Sequence, residues 1–123
     1  MTDPAQRRRD ALVLGAEAEQ QVALALQSQG WRICARNWRG GGGELDIVAE
    51  RHGHVQFVEV KARQPGDWGG LEVVDRTKQR KLSRAADAWL DRWTGQLEAA
   101  SFTVVMVEGT DMHWVPDAFD EVG

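Results

Sequence analysis

Asp46, Glu59 and Lys61 are titratable residues on either side of the dipeptide His52-Gly53. Glycine at the second central position suits a tight hairpin, because that position requires a positive φ. If two strands pair outward from this turn, Asp46 lies opposite Glu59 and Glu44 lies opposite Lys61. Directly opposed residues share a face of the sheet, with Cβ atoms about 4.5–5.5 Å apart. The register therefore predicts three acids and a lysine on one side of a hairpin.

Carboxylates that face each other across a sheet repel, and a divalent cation between them removes the repulsion. Mg²⁺ is usually held by one or two carboxylates together with waters and phosphate oxygens. Asp46 and Glu59 are therefore candidate ligands for Mg²⁺, with Mn²⁺ as an alternative ion. Glu19 is the candidate third carboxylate, because it lies on the apolar stripe of a predicted helix, three residues before Val22 and seven before Leu26.

The Glu-x-Lys pattern also has a simpler interpretation. Alternating charged residues on a strand are most often the solvated face of an antiparallel sheet. In this chain Val55 and Phe57 lie on the same predicted face, so part of that face is buried. Acids and a lysine beside buried apolar side chains need partners or a role. The pattern as a whole favours a functional site.

Apolar periodicity and turn signals distribute these residues over seven elements. The predicted helices cover residues 11–29 and 77–93, and the predicted strands cover residues 31–38, 44–50, 55–62, 102–107 and 112–115. The connections include the glycine run at 40–43 and a loop at 64–70 that contains Trp68. Short turns make the first three strands antiparallel, whereas the fourth follows a helix and returns in parallel. The sequence predicts an α/β fold with a mixed five-stranded sheet flanked by helices, in the order α-β-β-β-α-β-β.

Length and composition narrow the class of protein. The 123 residues fit one domain, predicted over residues 10–123 behind a flexible segment at 1–9. A single cysteine excludes an intrachain disulfide, and no apolar run approaches the ~18 residues of a membrane span. We therefore expect a cytoplasmic protein without membrane contact. The net charge is −4, but residues 1–93 hold all 15 Lys and Arg against 13 acids, so a polyanion would contact that part.

The acidic motif and its spacing match a known pattern. Asp46, with Glu59-Val60-Lys61 beginning thirteen positions later and an acidic helix before it, resembles the PD-(D/E)xK nuclease superfamily, especially archaeal Holliday-junction resolvases. Over roughly residues 14–119 the chain resembles the YraN-like family of small bacterial proteins. The matching residues are Glu19, Gly30-Trp31, Arg36-Asn37-Trp38, residues 43–47, residues 57–63, Lys78 and Ala118-Phe119.

The resemblance implies a restriction-endonuclease-like core and the hydrolysis of phosphodiester bonds. By position, it makes Asp46, Glu59 and the carbonyl of Val60 the metal ligands. It also implies that Lys61 is the catalytic lysine and that Glu19 is the acid of the preceding helix.

Basic residues near the predicted site favour a nucleic-acid partner, with DNA as the first expectation. The second predicted helix begins with five cations in nine positions, namely Arg76, Lys78, Arg80, Lys81 and Arg84. Lys78 and Lys81 share one helix face, and Arg63 continues the strand face of Glu59 and Lys61. We interpret Arg63, Lys78 and Lys81 as phosphate contacts, with a solvated helix face as the alternative.

These features predict a Mg²⁺-dependent endonuclease that acts on DNA. Branched DNA is the substrate class suggested by the likeness to resolvases, and a homodimer is the assembly that such a substrate suits. Two other functions stay open. One is a non-catalytic nucleic-acid-binding protein that has kept the nuclease fold, and the other is a scaffold that uses its acidic C-terminal residues.

Overall fold

Seven elements follow one another in the predicted order in the computed structural model, which describes residues 3–63 and 75–118. The elements are α1 (Pro4–Ser28), β1 (Arg32–Gly40), β2 (Gly43–Arg51), β3 (His54–Arg63), α2 (Arg76–Arg92), β4 (Ala99–Glu108) and β5 (Asp111–Pro116). The predicted loop at 64–70 with Trp68, and Phe119 of the family motif, lie outside the described residues.

The five strands form one sheet in the order β1-β2-β3-β4-β5. β3 and β4 are parallel, and the other neighbouring pairs are antiparallel. A parallel pair needs a crossover, and α2 lies between β3 and β4 in the chain. The mixed sheet predicted from the sequence is confirmed, and the topology is consistent with a restriction-endonuclease-like fold.

One helix covers each face of the sheet, and each face has its own apolar core. The core on the α2 side contains Leu45, Val48, Val55, Phe57, Leu82, Ala85, Ala86, Trp89, Phe102 and Val104. The core on the α1 side contains Ala18, Val22, Ala23, Leu26, Trp31, Ile47, Ala49, Val58, Val105 and Val107. The alternation of strand residues between these two cores fixes which side chains face each helix.

The first helix begins seven residues before the predicted start, and that prediction was wrong. Asp3 caps the helix by accepting a hydrogen bond from the Ala5 amide at 3.3 Å, and Pro4 occupies the first turn. Gln6 donates to Asp10 at 2.8 Å, one turn later. Apolar periodicity reveals only the part of a helix that packs, so it missed this polar start. The segment at 4–9 is helical, and its flexibility in solution stays a prediction.

Within the described residues, neither helix has a stretch apolar enough to cross a membrane. α1 is long enough at 25 residues, but charged and amide side chains interrupt its apolar residues. This agrees with the absence of a long apolar run in the sequence.

The glycine run forms a two-residue turn between β1 and β2 that packs directly on the backbone of α2. A Cβ atom at Gly41 would lie 2.5 Å from the carbonyl oxygen of Arg84. A Cβ atom at Gly43 would lie 2.5 Å from the carbonyl oxygen of Lys81. The sequence predicts the turn but not this contact, which holds the hairpin against the helix that carries the basic run.

The regular alternation of β1 is interrupted at Asn37. This residue has a φ of 50°, in the left-handed region that asparagine tolerates better than most residues. Ala35 and Trp38 are three positions apart, yet both pack against the core on the α2 side. At Asn37 the side chains of β1 therefore depart by one residue from strict alternation between the two faces of the sheet.

The neighbouring strand β2 also departs from strict alternation, at the position beside Asn37 in the sheet. Leu45 and Val48 are also three positions apart and also pack in the core on the α2 side. Asp46 lies between them, so strict alternation does not determine where its side chain points. This irregularity turns Asp46 toward the adjoining strand β3, where the candidate site begins.

Candidate active site

The site lies where β2 and β3 separate. Their recorded register runs from Arg51 with His54 to Ile47 with Val58, which confirms the register predicted from the His52-Gly53 turn. Side chains link the two strands beyond that pair. The Asp46 amide donates to Glu59 Oε1 at 3.4 Å, and the Val60 amide donates to Asp46 Oδ2 at 2.9 Å.

These two hydrogen bonds bring Asp46 and Glu59 together, as the sequence predicts, but by a different route. The prediction placed the two residues as an opposed pair in a regular ladder. In the structure each acid instead accepts a backbone amide of the other strand. One oxygen of each carboxylate is therefore held by a backbone amide of the other strand, and the second oxygen of Glu59 lies 3.9 Å from Lys78 Nζ.

Glu59 is the most buried charged residue of the site, with 6% of its surface exposed. Burial raises the pKa of Glu59 to about 8, and the adjacent Asp46 carboxylate adds to the increase. The ammonium group of Lys78 opposes this effect. A carboxyl group with such a pKa is largely protonated at neutral pH, so two negative charges are disfavoured here without a further cation.

Two lysines flank the acidic pair. Lys61 is half-buried on β3, and its pKa is lowered by burial and by the neighbouring Lys78. Lys78 Nζ lies 3.9 Å from Glu59 Oε2. The first turn of α2 positions this lysine, because Asp75 caps the helix by accepting the Lys78 amide at 2.8 Å. The cluster therefore combines two acids from the sheet with one lysine from β3 and one from α2.

Glu19 reaches the site from α1. Its Oε1 is buried and has no hydrogen-bond partner among the described residues, and Arg36 Nη2 lies 3.8 Å away. Burial and the Asp46 carboxylate raise the pKa of Glu19, while Arg36 and Asn37 lower it. Glu19 is therefore an acid close to Asp46, as predicted, and its buried Oε1 has the Arg36 guanidinium nearby at ion-pair distance but accepts no hydrogen bond within the described residues.

Other predicted residues lie outside the cluster. The sequence placed Glu44 opposite Lys61, but Glu44 lies in register with Arg39 of β1 and pairs with it at 3.6 Å. This contact is on the β1 side of β2, and the recorded ladder on the β3 side ends at Ile47 with Val58, so the pairing of Glu44 with Lys61 stays a prediction. Lys81 is exposed on α2, and Arg63 is half-buried at the end of β3.

Sequence reasoning missed Arg36 and Asn37 as parts of the site. Arg36 pairs with Glu19 and also donates to Gln20 at 2.8 Å, which orients it along α1. Asn37 changes the facing of β1 next to Asp46. Both residues belong to the Arg36-Asn37-Trp38 motif, so the signal was present without a role attached to it.

The donor atoms suit a hard cation. Asp46 and Glu59 would supply carboxylate oxygens and Val60 a carbonyl oxygen, and Mg²⁺ takes such ligands with several waters. No group of three His, Cys, Asp or Glu side chains within residues 3–63 and 75–118 is close enough to hold a metal ion. A cation here would thus depend on the acidic pair and waters, in a place where the buried acid Glu59 and the Glu19 oxygen, which accepts no hydrogen bond within the described residues, favour positive charge.

Comparison with known proteins assigns the chain to a family. A model described as uncharacterised protein family UPF0102 matches residues 18–107. The chain belongs to the UPF0102 family. It is 43% identical over 122 residues to a UPF0102 protein of Halorhodospira halophila, which covers 98% of both chains. A UPF0102 protein of Methylobacterium nodulans is 40% identical over 121 residues, which is 96% of this chain and 93% of the relative.

The region matched by the UPF0102 model contains the whole site, from Glu19 on α1 to Lys78 on α2. Residues 4–17 of α1 precede that region. The likeness to the YraN-like family is therefore confirmed, and the function has to be argued from the site.

Proposed function

We propose that this protein is a Mg²⁺-dependent nuclease that hydrolyses phosphodiester bonds in DNA, with Mn²⁺ as an alternative ion. One observation supports this proposal most directly. The buried acid Glu59 lies against Asp46, with Lys78 3.9 Å from its carboxylate and Lys61 beside it. Such a set joins ligands for a cation to ammonium groups that attract a phosphate.

Asp46, Glu59 and the Val60 carbonyl would hold the cation in this proposal. A bound Mg²⁺ polarises a phosphodiester and lowers the pKa of a coordinated water. Lys61 orients the attacking water and stabilises the charge that develops on the phosphate oxygens. Burial and the neighbouring Lys78 lower the pKa of Lys61, which brings it closer to the working range of a group that exchanges a proton with a reacting water.

The basic residues around the cluster provide the docking surface. Lys78 faces the acidic pair from α2, Lys81 lies one turn further along the same helix, and Arg63 ends β3. Contacts of this kind position a phosphate backbone without reading its sequence, and they weaken as salt is added. Branched DNA is the proposed substrate class, because the acidic motif of this chain resembles that of archaeal Holliday-junction resolvases.

A cleavage assay tests the proposal. Linear, nicked and four-way-junction DNA are incubated with Mg²⁺, Mn²⁺ or EDTA. We expect metal-dependent cleavage by the wild type and a loss of roughly 10²-fold or more in Asp46→Asn and Lys61→Met. Glu17→Gln is the matched control, because Glu17 is an exposed carboxylate on α1 that the sequence does not place in the site. Undiminished cleavage by Asp46→Asn and Lys61→Met would refute the assignment.

A non-catalytic DNA-binding protein is the second candidate. It is favoured by the ion pair between Lys78 and Glu59, which gives the buried acid a counter-charge without a metal. This candidate predicts salt-sensitive DNA binding with no cleavage under any metal. A scaffold protein predicts neither property. Sedimentation of the free protein and of its DNA complex tests the homodimer.

A further inference from the structure

The first three turns of α1 extend beyond the folded body of the protein. Ala18 is the first buried residue of the helix. Upstream of it Leu12 is 74% exposed and Val13 is 56% exposed. A helix this short is marginal in water when nothing packs against it. The structure thus presents a helical arm, which we define as residues 4–15.

The arm carries three consecutive arginines. Arg9 donates to Gln6 at 3.0 Å, and Gln6 donates in turn to Asp10 at 2.8 Å. The guanidinium groups of Arg7 and Arg8 form no ion pair with any acid in the described part of the chain. The arm therefore displays positive charge that the acids at 3–63 and 75–118 do not neutralise by an ion pair.

The helix geometry places part of this charge on the side of the candidate site. Arg8 and Glu19 are eleven residues apart, which is three turns plus about 20° and a rise of about 16 Å. Glu19 faces Asp46, so Arg8 projects from the same side of the helix. Leu12 lies between them on the same line.

The direction of α1 shows where the arm leads. Near its C-terminal end, the Trp31 amide donates to the Leu26 carbonyl at the start of β1. Further toward its N-terminus, Glu19 pairs with Arg36 in the second half of β1. The arm therefore continues toward the end of the sheet at which β1 and β3 end and the basic turn of α2 begins.

We propose that the arm binds the phosphate backbone of duplex DNA about five base pairs from the bond held at the candidate site. A rise of about 16 Å matches about five steps of 3.4 Å along one strand. Charge complementarity selects this partner, because Arg7 and Arg8 are cations without an ion pair to any described acid, and α1 leads toward the end of the sheet at which the α2 turn with Lys78 begins. The inference rests on the proposed function and extends it to the length of DNA that the protein contacts.

Fluorescence anisotropy with a labelled duplex of about 20 base pairs, in EDTA and at KCl concentrations from about 50 to about 200 mM, tests the arm. We expect Arg8→Gln to reduce the slope of log K against log salt by about 0.9 and to weaken binding about eightfold near 0.1 M salt. Arg7→Gln/Arg8→Gln should reduce the slope by about 1.8. Arg92→Gln is the charge-matched control, since Arg92 is exposed at the other end of α2.

Equal slopes of log K against log salt for Arg8→Gln, Arg92→Gln and the wild type would overturn the proposal that the arm binds DNA, and would leave the cleavage proposal intact. An arm effect in a protein that cleaves nothing would refute only the nuclease. Wild-type protein that shows no salt-dependent binding would also overturn the arm. So would a wild-type dimer that Leu12→Gln converts to a monomer while the arginine variants bind DNA normally, because the arm would then join two copies of the chain.

Discussion

Replacing Glu59 with glutamine should change how the stability of the metal-free protein depends on pH. The pKa of Glu59 is about 8 in the folded protein, against 4.5 for an unperturbed glutamate. The folded state therefore binds a proton that the unfolded state releases between these two values, and stability falls as pH rises through this range. Each pH unit corresponds to about 1.4 kcal/mol, so the full interval costs roughly 5 kcal/mol.

Urea unfolding in EDTA measures this effect. Wild type and Glu59→Gln are compared near pH 5, 6.5 and 8.5, with Glu44→Gln as a control for the loss of an exposed carboxylate. We expect the wild type to lose several kcal/mol relative to Glu59→Gln between the lowest and highest pH, because glutamine remains neutral throughout. Parallel pH profiles for the wild type and Glu59→Gln would refute the reasoning.

The same titration with Mg²⁺ adds a second readout. A metal ion binds the deprotonated carboxylate, so its stabilising effect should be larger near pH 8.5 than near pH 5. Glu59→Gln should lose most of this stabilisation. A Mg²⁺ effect of equal size at both pH values would indicate that the ion binds elsewhere.

Three further changes test the surroundings of the site. Gly43→Ala should lower the free energy of unfolding by about 1–3 kcal/mol in urea, since its Cβ would meet a helix carbonyl, whereas Gly15→Ala meets nothing and should raise it by up to about 1 kcal/mol. Asn37→Ala should destabilise by about 1–2 kcal/mol because of its positive φ, and Asn37→Gly should cost less; equal losses would contradict a backbone origin. Lys78→Met should raise the pKa of Glu59, as followed by carboxyl NMR titration, and a lowered pKa would contradict the ion pair.

The register of the central hairpin was predictable because it depends on local turn chemistry. His52 and Gly53 both have positive φ, as a two-residue turn of this kind requires. That register brings β2 and β3 together as far as Ile47 with Val58, and hydrogen bonds from the Asp46 and Val60 amides complete the approach of Asp46 to Glu59. The parallel return of β4 was predictable for a similar reason, because a helix of α2's length allows little else.

Features that depend on tertiary contacts were not predictable. The positive φ of Asn37 has no signature in the sequence beyond the tolerance of asparagine for that conformation, and the ion pair between Glu44 and Arg39 depends on the pairing of β1 with β2. The start of α1 was missed because polar residues can continue a helix without leaving an apolar period. The role of the glycine run was also hidden, since only the structure brings α2 against the turn.

The hydrogen bond from the Val60 amide gives the Asp46 carboxylate a structural role beside its proposed role as a metal ligand. The Asp46 carboxylate accepts from the Val60 amide, which would otherwise be unsatisfied where the two strands separate. Its other oxygen is the one that a cation or substrate would contact. The same Asp46 carboxylate therefore contributes both to the stability of the sheet and to the proposed binding of a cation. An acid can therefore be retained at this position for its structural role alone, in relatives without the proposed reaction. Asparagine keeps an acceptor oxygen but not the negative charge, so Asp46→Asn separates the structural role from the proposed chemical role.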